Sequence, residues 1–76
     1  MARELFGTRL RSLRERAGLS QAQLAEKIGT DQGTLSRWER SLAEPPVKMM
    51  EAIAFALDLS VGALLVDQPP KRPKGE

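Results

Sequence analysis

The sequence predicts a small all-α protein of five helices, and three observations carry that prediction. Hydrophobic residues recur every three or four positions along most of the 76-residue chain, which is the repeat of one helical face. Capping residues, glycines and a Pro-Pro pair interrupt this repeat where helices start and stop. No segment shows the alternation of a half-buried strand. A chain of this length has room for one small domain.

The first predicted helix covers approximately residues 2–17. Its hydrophobic side chains follow one another at steps of four, three and four, at Phe6, Leu10, Leu13 and Ala17. Gly18 then ends the helix, because a residue without a Cβ adopts the left-handed conformation at little cost.

Two short helices follow, joined by a single glycine. Ser20 is a favourable N-cap with Gln23 three residues later, so a capping box starts the second helix, residues 21–28. A glycine stops that helix, and Asp31 caps a third helix, residues 32–40. The expected buried side chains are Leu24, Ala25 and Ile28 on the second helix, and Leu35 and Trp38 on the third. This spacing is that of a helix-turn-helix, and it is equally typical of a simple corner between two helices.

Two further helices complete the predicted domain. A Pro-Pro pair at residues 45–46 starts the fourth, because proline suits the first turn of a helix. Its inward side chains are Val47, Met50, Ile53, Ala54 and Leu57. Ser60 caps a short fifth helix that ends near Leu65. We expect residues 1–66 to form the domain, and residues 67–76, with three prolines and no hydrophobic anchor, to form a disordered tail.

Several runs of residues in and around the two central helices form a recognisable set. They are Leu19-Ser20-Gln21, Leu24-Ala25, Ile28-Gly29, the run from Leu35 to Arg40, and the flanking runs Phe6 to Arg14 and Ala54 to Leu65. In identity and order they resemble the lambdoid-phage repressor and Cro family, also called the XRE family. The resemblance covers about residues 4–66. It implies a compact five-helix, lambda-repressor-like domain whose second and third helices are a DNA-binding helix-turn-helix.

By this resemblance the third helix is the recognition helix that enters the major groove. Gln32 lies where the family presents a glutamine to the bases, and its amide matches N7 and N6 of adenine. Arg37 holds the second reading position, for a guanine or a phosphate, and Thr34 and Ser36 are short donors. The alternative for these polar side chains is an ordinary solvated helix face. Gly33 replaces the longer side chain usual in the family, which predicts fewer base contacts and more dependence on DNA shape.

Other residues are candidates for contacts to the DNA backbone. Gln21 opens the second helix, where main-chain N–H groups and the helix dipole favour a phosphate and the side chain adds a donor. Arg40, after the recognition helix, is expected to bind a phosphate on the other side. Arg9, Arg11 and Arg16 of the first helix are further candidates, although exposed helix arginines are commonly just solvated.

The resemblance gives Arg14 and Glu39 a structural role, as a largely buried ion pair between the first helix and the recognition helix. Removing one partner of such a pair costs about 3–5 kcal/mol, because the other charge is left buried alone. Trp38 lies three residues after Leu35 on the same face, so we expect it in the core rather than against a base. Ser41 stands where a glycine is common, which predicts a different or slightly strained loop.

Composition excludes several classes of function. The chain has no cysteine, histidine or tyrosine, so we expect no enzymatic activity, no cofactor and no metal. No hydrophobic run approaches the roughly 20 residues of a membrane span, and the start is unlike a signal peptide, so we expect a cytoplasmic protein. The net charge of +2 arises in residues 69–76, and the sum therefore does not itself predict binding to nucleic acid.

Together these observations predict a sequence-specific transcriptional regulator of repressor type that binds double-stranded DNA. We expect a homodimer on a palindromic operator, since one domain of this size buries too little interface alone. A hydrophobic patch is the expected two-fold interface, and its residues are Met49, Phe55, Val61 and Ala63. The alternative for Phe55 is that it completes the core. Two other functions stay open: a protein-binding module of the antitoxin type, and the DNA-binding fragment of a larger regulator.

Overall fold

The computed structural model of the chain describes residues 5–65, which form five α-helices and, within that range, no strand. The helices are α1 (Phe6–Arg16), α2 (Gln21–Ile28), α3 (Gln32–Glu39), α4 (Val47–Ala56) and α5 (Val61–Leu65). The predicted all-α fold class and the order of its five helices are confirmed. None of these helices is long and apolar enough to cross a membrane.

The first helix begins later than predicted. Leu5 is in an extended conformation, and the first helical hydrogen bond runs from the Arg9 N–H to the Leu5 carbonyl. Phe6, the first residue of α1, is also the first described residue that packs against the core, so packing begins where the helix begins. The predicted start near residue 2 is therefore wrong for Leu5, and residues 1–4 lie outside the described residues. The predicted tail, residues 67–76, lies outside them as well.

Side-chain caps start α2, α3 and α5 as the sequence predicts. Ser20 Oγ accepts from the Gln23 N–H at 3.0 Å, while Gln23 Oε1 accepts from the Ser20 N–H at 2.8 Å, which completes the capping box. Asp31 Oδ1 accepts from the Thr34 N–H at 2.8 Å. Ser60 accepts in the same way at the start of α5. Each cap satisfies main-chain donors that a helix start leaves open.

The first four helices all end in the same way. After each of them one residue has a positive φ, and the N–H of the next residue donates to the carbonyl five positions earlier. Gly18 and Gly29 fill this position after α1 and α2, whereas Ser41 and Asp58 fill it after α3 and α4, both with a φ of 61°. Ser41 therefore follows the path of a glycine stop rather than a different one. The left-handed conformation costs a residue with a Cβ about 1–2 kcal/mol.

Each helix contributes one fully buried side chain to a single core. These side chains are Leu10, Leu24, Leu35, Ile53 and Leu64, each with no exposed surface. Trp38 is 5% exposed and belongs to the same cluster, as the sequence predicts. Fully burying a large aliphatic side chain is worth about 1.5–3 kcal/mol, so these five side chains hold the short helices together.

Gly7 lets α1 approach the end of α3 more closely than any other residue would. A Cβ added at Gly7 would lie 2.5 Å from the carbonyl oxygen of Glu39 and 2.6 Å from that of Trp38. Real Cβ atoms essentially never come this close to a main-chain oxygen. The absence of a side chain at Gly7 thus allows the short distance between α1 and the end of α3.

We expect Gly7→Ala to lower the free energy of unfolding by about 1–3 kcal/mol, because the two helices must separate to admit the methyl group. Gly33→Ala is the matched control: this glycine is also helical, and an added Cβ would meet only Asp31 Oδ1 at 3.6 Å. It should raise stability by up to about 1 kcal/mol through helix propensity. Urea unfolding followed by Trp38 fluorescence measures both. A neutral effect of Gly7→Ala would contradict the close approach.

Candidate nucleic-acid interface

The exposed face of α3 borders an open cleft of about 450 Å³ between α1, α2 and α3. Its polar lining includes Arg11, Ser20, Gln21, Gln32, Ser36 and Arg40, and the pair Arg14 and Glu39 also lines it. Gln32, Gly33 and Arg37 are exposed on α3, while Thr34 and Ser36 are half-buried. The structure thus brings Gln21, Gln32, Ser36 and Arg40 to one cleft, whereas Gly33, Thr34 and Arg37 do not line it.

A buried ion pair joins α1 to α3 at this cleft. Arg14 Nε donates to Glu39 Oε2 at 2.7 Å, and Arg14 Nη2 donates to Glu39 Oε1 at 3.1 Å. The two side chains are 10% and 2% exposed, respectively. Arg14 Nη1 also donates to the Leu19 carbonyl at 2.8 Å, just before α2. One guanidinium group of α1 thus bonds both to α3 and to the residues just before α2.

Hydrogen bonding to Glu39 raises the pKa of the Arg14 guanidinium above its ordinary value, although burial acts in the opposite direction. The Arg14 guanidinium is therefore positively charged near neutral pH. At the start of α3, the hydrogen bond from the Thr34 main chain lowers the pKa of Asp31. Asp31 is thus ionised near neutral pH, where a negative charge at a helix N-terminus is favourable.

Two glutamines extend the ion pair to the exposed start of α3. Gln21 Nε2 donates to Glu39 Oε1 at 2.9 Å, and Gln32 Nε2 donates to Gln21 Oε1 at 3.2 Å. A carboxylate only accepts hydrogen bonds, so the amide of Gln21 must turn its nitrogen toward Glu39 and its oxygen toward Gln32. Gln32 is then oriented as a donor to Gln21, and its own Oε1 and second N–H are left for another partner. One N–H of the Gln21 side chain is thus bonded within the protein, and its second N–H is left as the donor expected to reach a phosphate.

The arginines of α1 have different environments. Arg11 is exposed and pairs with Glu15 at 3.2 Å, one turn along the same helix. Arg16 is exposed as well. Arg9, however, is buried, and its guanidinium donates to the main-chain carbonyls of Ala63 and Leu64. The expectation that Arg9 contacts the DNA backbone is therefore wrong, because its donors are turned into the fold.

Comparison with known proteins agrees with this geometry. Residues 10–64 match the protein family described as Helix-turn-helix. The chain belongs to this family, in its lambda-repressor-like or XRE branch. It is 37% identical over 62 residues to the HTH-type transcriptional regulator SinR of Bacillus subtilis, a match that covers 80% of this chain and 56% of SinR. It is 35% identical over 65 residues to the repressor protein C2 of Salmonella phage P22, a match that covers 86% of this chain and 30% of C2. The chain thus spans about half the length of SinR, and less of C2.

Solved structures of this family have the same fold. The P22 c2 repressor, crystallised with a synthetic operator, matches with a TM-score of 0.79 at 34% identity, over 86% of this chain and 98% of that chain. SinR, crystallised with DNA, matches with a TM-score of 0.76 at 36% identity, over 82% of this chain and 100% of that chain. In both, nearly all of the comparison chain corresponds to the helix-turn-helix domain described above.

The residues expected to form a hydrophobic patch differ in their exposure. Phe55 is 88% exposed, which excludes the alternative that it completes the core of the isolated chain. Val61 is 36% exposed, whereas Met49 and Ala63 are half-buried and Met49 packs against the core. Leu65 follows Val61 by four residues on α5 and is 52% exposed.

We expect Arg14→Ala and Glu39→Ala each to lower the free energy of unfolding by about 3–5 kcal/mol, because each strands the opposite buried charge. The double variant should lose clearly less than the sum of the two single losses. Urea unfolding of the four proteins gives the coupling energy. Arg11 and Glu15 provide a matched control cycle, because the same chemical groups pair on the surface and should couple by no more than about 0.5 kcal/mol. Equal coupling energies in the two cycles would refute a special role for the buried pair.

Proposed function

We propose that this chain binds double-stranded DNA sequence-specifically and regulates transcription as a repressor-type protein in the cytoplasm. The observation that carries the proposal is the exposed polar face of α3, held in place by the buried pair Arg14–Glu39. Relatives of this family are named as transcriptional regulators and repressors, and two have been crystallised with DNA. A rigid helix with an exposed polar face is what major-groove recognition requires.

Gln32 is the residue that we propose reads a base. Its Oε1 and one N–H stay available after its bond to Gln21, and this acceptor–donor pair matches the N6 and N7 edge of adenine. Arg37 is exposed farther along α3 and supplies a guanidinium for guanine or phosphate, with Ser36 between them. Gly33 contributes no side chain, so we assign part of the specificity to DNA shape.

Phosphates on either side of this base contact are the proposed partners of the remaining polar groups. The start of α2 offers its main-chain N–H groups at Gln21, and a helix N-terminus attracts a phosphate. Arg40 lines the same cleft from the other side, just beyond α3. The hydroxyl group of the half-buried Thr34 is a further candidate at the first turn of α3. These contacts position the protein without reading sequence.

The proposed active form is a homodimer on a palindromic operator. Phe55 and Val61 leave hydrophobic surface exposed on α4 and α5, with Met49 and Ala63 half-buried. A two-fold axis makes such a patch cover itself in a second copy, and it also places two α3 helices about one turn of DNA apart. Because the chain spans 56% of the length of SinR, we also propose that the domain can serve as the DNA-binding part of a longer regulator.

Replacing Gln32 with alanine should relax the preference at one base pair of each half-site, at a cost of about 1–3 kcal/mol per half-site. Arg40→Ala should instead weaken binding to all sequences alike and reduce the salt slope by about 0.9 for each phosphate that the protein no longer neutralises. An operator selected from random DNA with the wild-type protein provides the matched duplex. Titrations of this duplex and a scrambled one at several salt concentrations separate the two effects. Equal weakening of both duplexes by Gln32→Ala would contradict base reading by this residue.

Replacing Phe55 with glutamate should raise the dimer dissociation constant at least about tenfold, because a charge would then be buried in the apolar two-fold contact. Sedimentation equilibrium measures this change. Val47→Glu is the matched control, since Val47, contrary to its predicted inward position, is 73% exposed at the first residue of the same helix and is not one of the proposed patch residues. Operator affinity should fall for Phe55→Glu only. A sedimentation mass unchanged by Phe55→Glu would place the interface elsewhere.

A further inference from the structure

The side chain of Arg9 fastens the last turn of α5 to α1. It is 7% exposed, and its Nη2 donates to the Ala63 carbonyl at 2.8 Å while its Nε donates to the Leu64 carbonyl at 3.1 Å. Both carbonyls belong to the last residues of α5 that the structure describes. A buried cation at this position also meets the negative end of the helix dipole.

This contact matters for α5 because α5 has only five residues. Isolated helices of that length do not persist in water, so their position depends on tertiary contacts. Leu64 anchors α5 in the core, and the two charge-assisted bonds from Arg9 fix its far end. The exposed residues Val61 and Leu65 therefore take their position from α1.

The same helix also positions the recognition helix. Arg14 lies five residues after Arg9, which places the two side chains about 140° apart around the axis of α1. Arg14 is bonded to Glu39 on α3, while Arg9 is bonded to α5. One rigid helix thus connects the face proposed to read DNA with the face proposed to meet a second copy.

We infer that Arg9 is a positioning residue that sets the separation of the two recognition helices, and hence the spacing between half-sites that the dimer accepts. This inference rests on the proposed homodimer and its palindromic operator. In a two-fold dimer, a displacement of α5 relative to α3 that is perpendicular to the axis and along the DNA changes the separation of the two α3 helices by twice its length. A displacement of only about 1.7 Å thus changes the separation by about 3.4 Å, the rise of one base pair.

The experiment compares the spacing preference of wild type with that of Arg9→Met, which keeps a long apolar stem and removes the guanidinium donors. Binding is titrated on operators whose half-sites are moved apart or together in steps of one base pair, and on a duplex with a single half-site. Arg16→Met is the matched control for the spacing preference, because it removes the same charge from an exposed position of the same helix, and any phosphate contact that it loses lowers the affinity at every spacing alike. Arg9→Lys keeps the charge and is the second variant.

Wild type and Arg16→Met should bind the best spacing at least about tenfold more tightly than spacings one base pair away. Arg9→Met should keep its affinity for the single half-site within about twofold, while the preference among spacings falls to about threefold or less. Arg9→Lys should lie between them. If Arg9→Met does not fold, as judged by Trp38 fluorescence, the spacing preference and the half-site affinity of Arg9→Lys decide the outcome.

Two results would overturn the inference, and they are distinguishable. A sharp wild-type optimum that stays equally sharp in the Arg9 variants, with affinity lowered at every spacing, would show that Arg9 only stabilises the fold. The inference would then fail while the proposed function stands. A wild-type protein with no spacing preference would overturn the proposed dimer and, with it, this inference.

Discussion

The ion pair between Arg14 and Glu39 is the interaction on which the arrangement of the helix-turn-helix depends. Hydrophobic burial is non-directional, so the leucine core drives the helices together without choosing the angle at which α3 crosses α1. A bidentate guanidinium–carboxylate contact has strict geometry and is buried almost completely. It therefore selects one orientation of α3, and the Leu19 carbonyl brings the start of α2 to the same guanidinium.

Two features of the fold depend on this choice. The close approach of Gly7 to the carbonyls of Trp38 and Glu39 requires that the end of α3 lies directly beside α1. The amide of Gln21 has one possible orientation because a fixed carboxylate lies beside it. A charge pair that contributes little net stability can still be necessary in a small domain, because it decides among packings that the core alone would permit.

The sequence carried enough information for most of the fold, because its start and stop signals are local. Ser20, Asp31 and Ser60 cap helices through groups within three residues, so the pattern alone identifies them. The environment of Arg9 depends on α5, 54 and 55 residues away in the chain, and no local pattern reports that contact. The orientation of Gln21 likewise depends on Glu39, 18 residues later. Apart from the Arg14–Glu39 pair, which the family resemblance supplied, long-range polar contacts were thus the part of the candidate site that sequence reasoning could not supply.

Gly33 leaves an unfilled position on the exposed face of α3. Its φ is not in the left-handed range, and the space around an added Cβ is open except for Asp31 Oδ1 at 3.6 Å. A side chain there would neither strain the main chain nor disturb the core, unlike one at Gly7. Gly7 must therefore remain a glycine for α1 to pack on α3, whereas Gly33 tolerates a side chain. On the face of α3 that is proposed to read DNA, a single substitution at Gly33 therefore adds a side chain without a loss of stability.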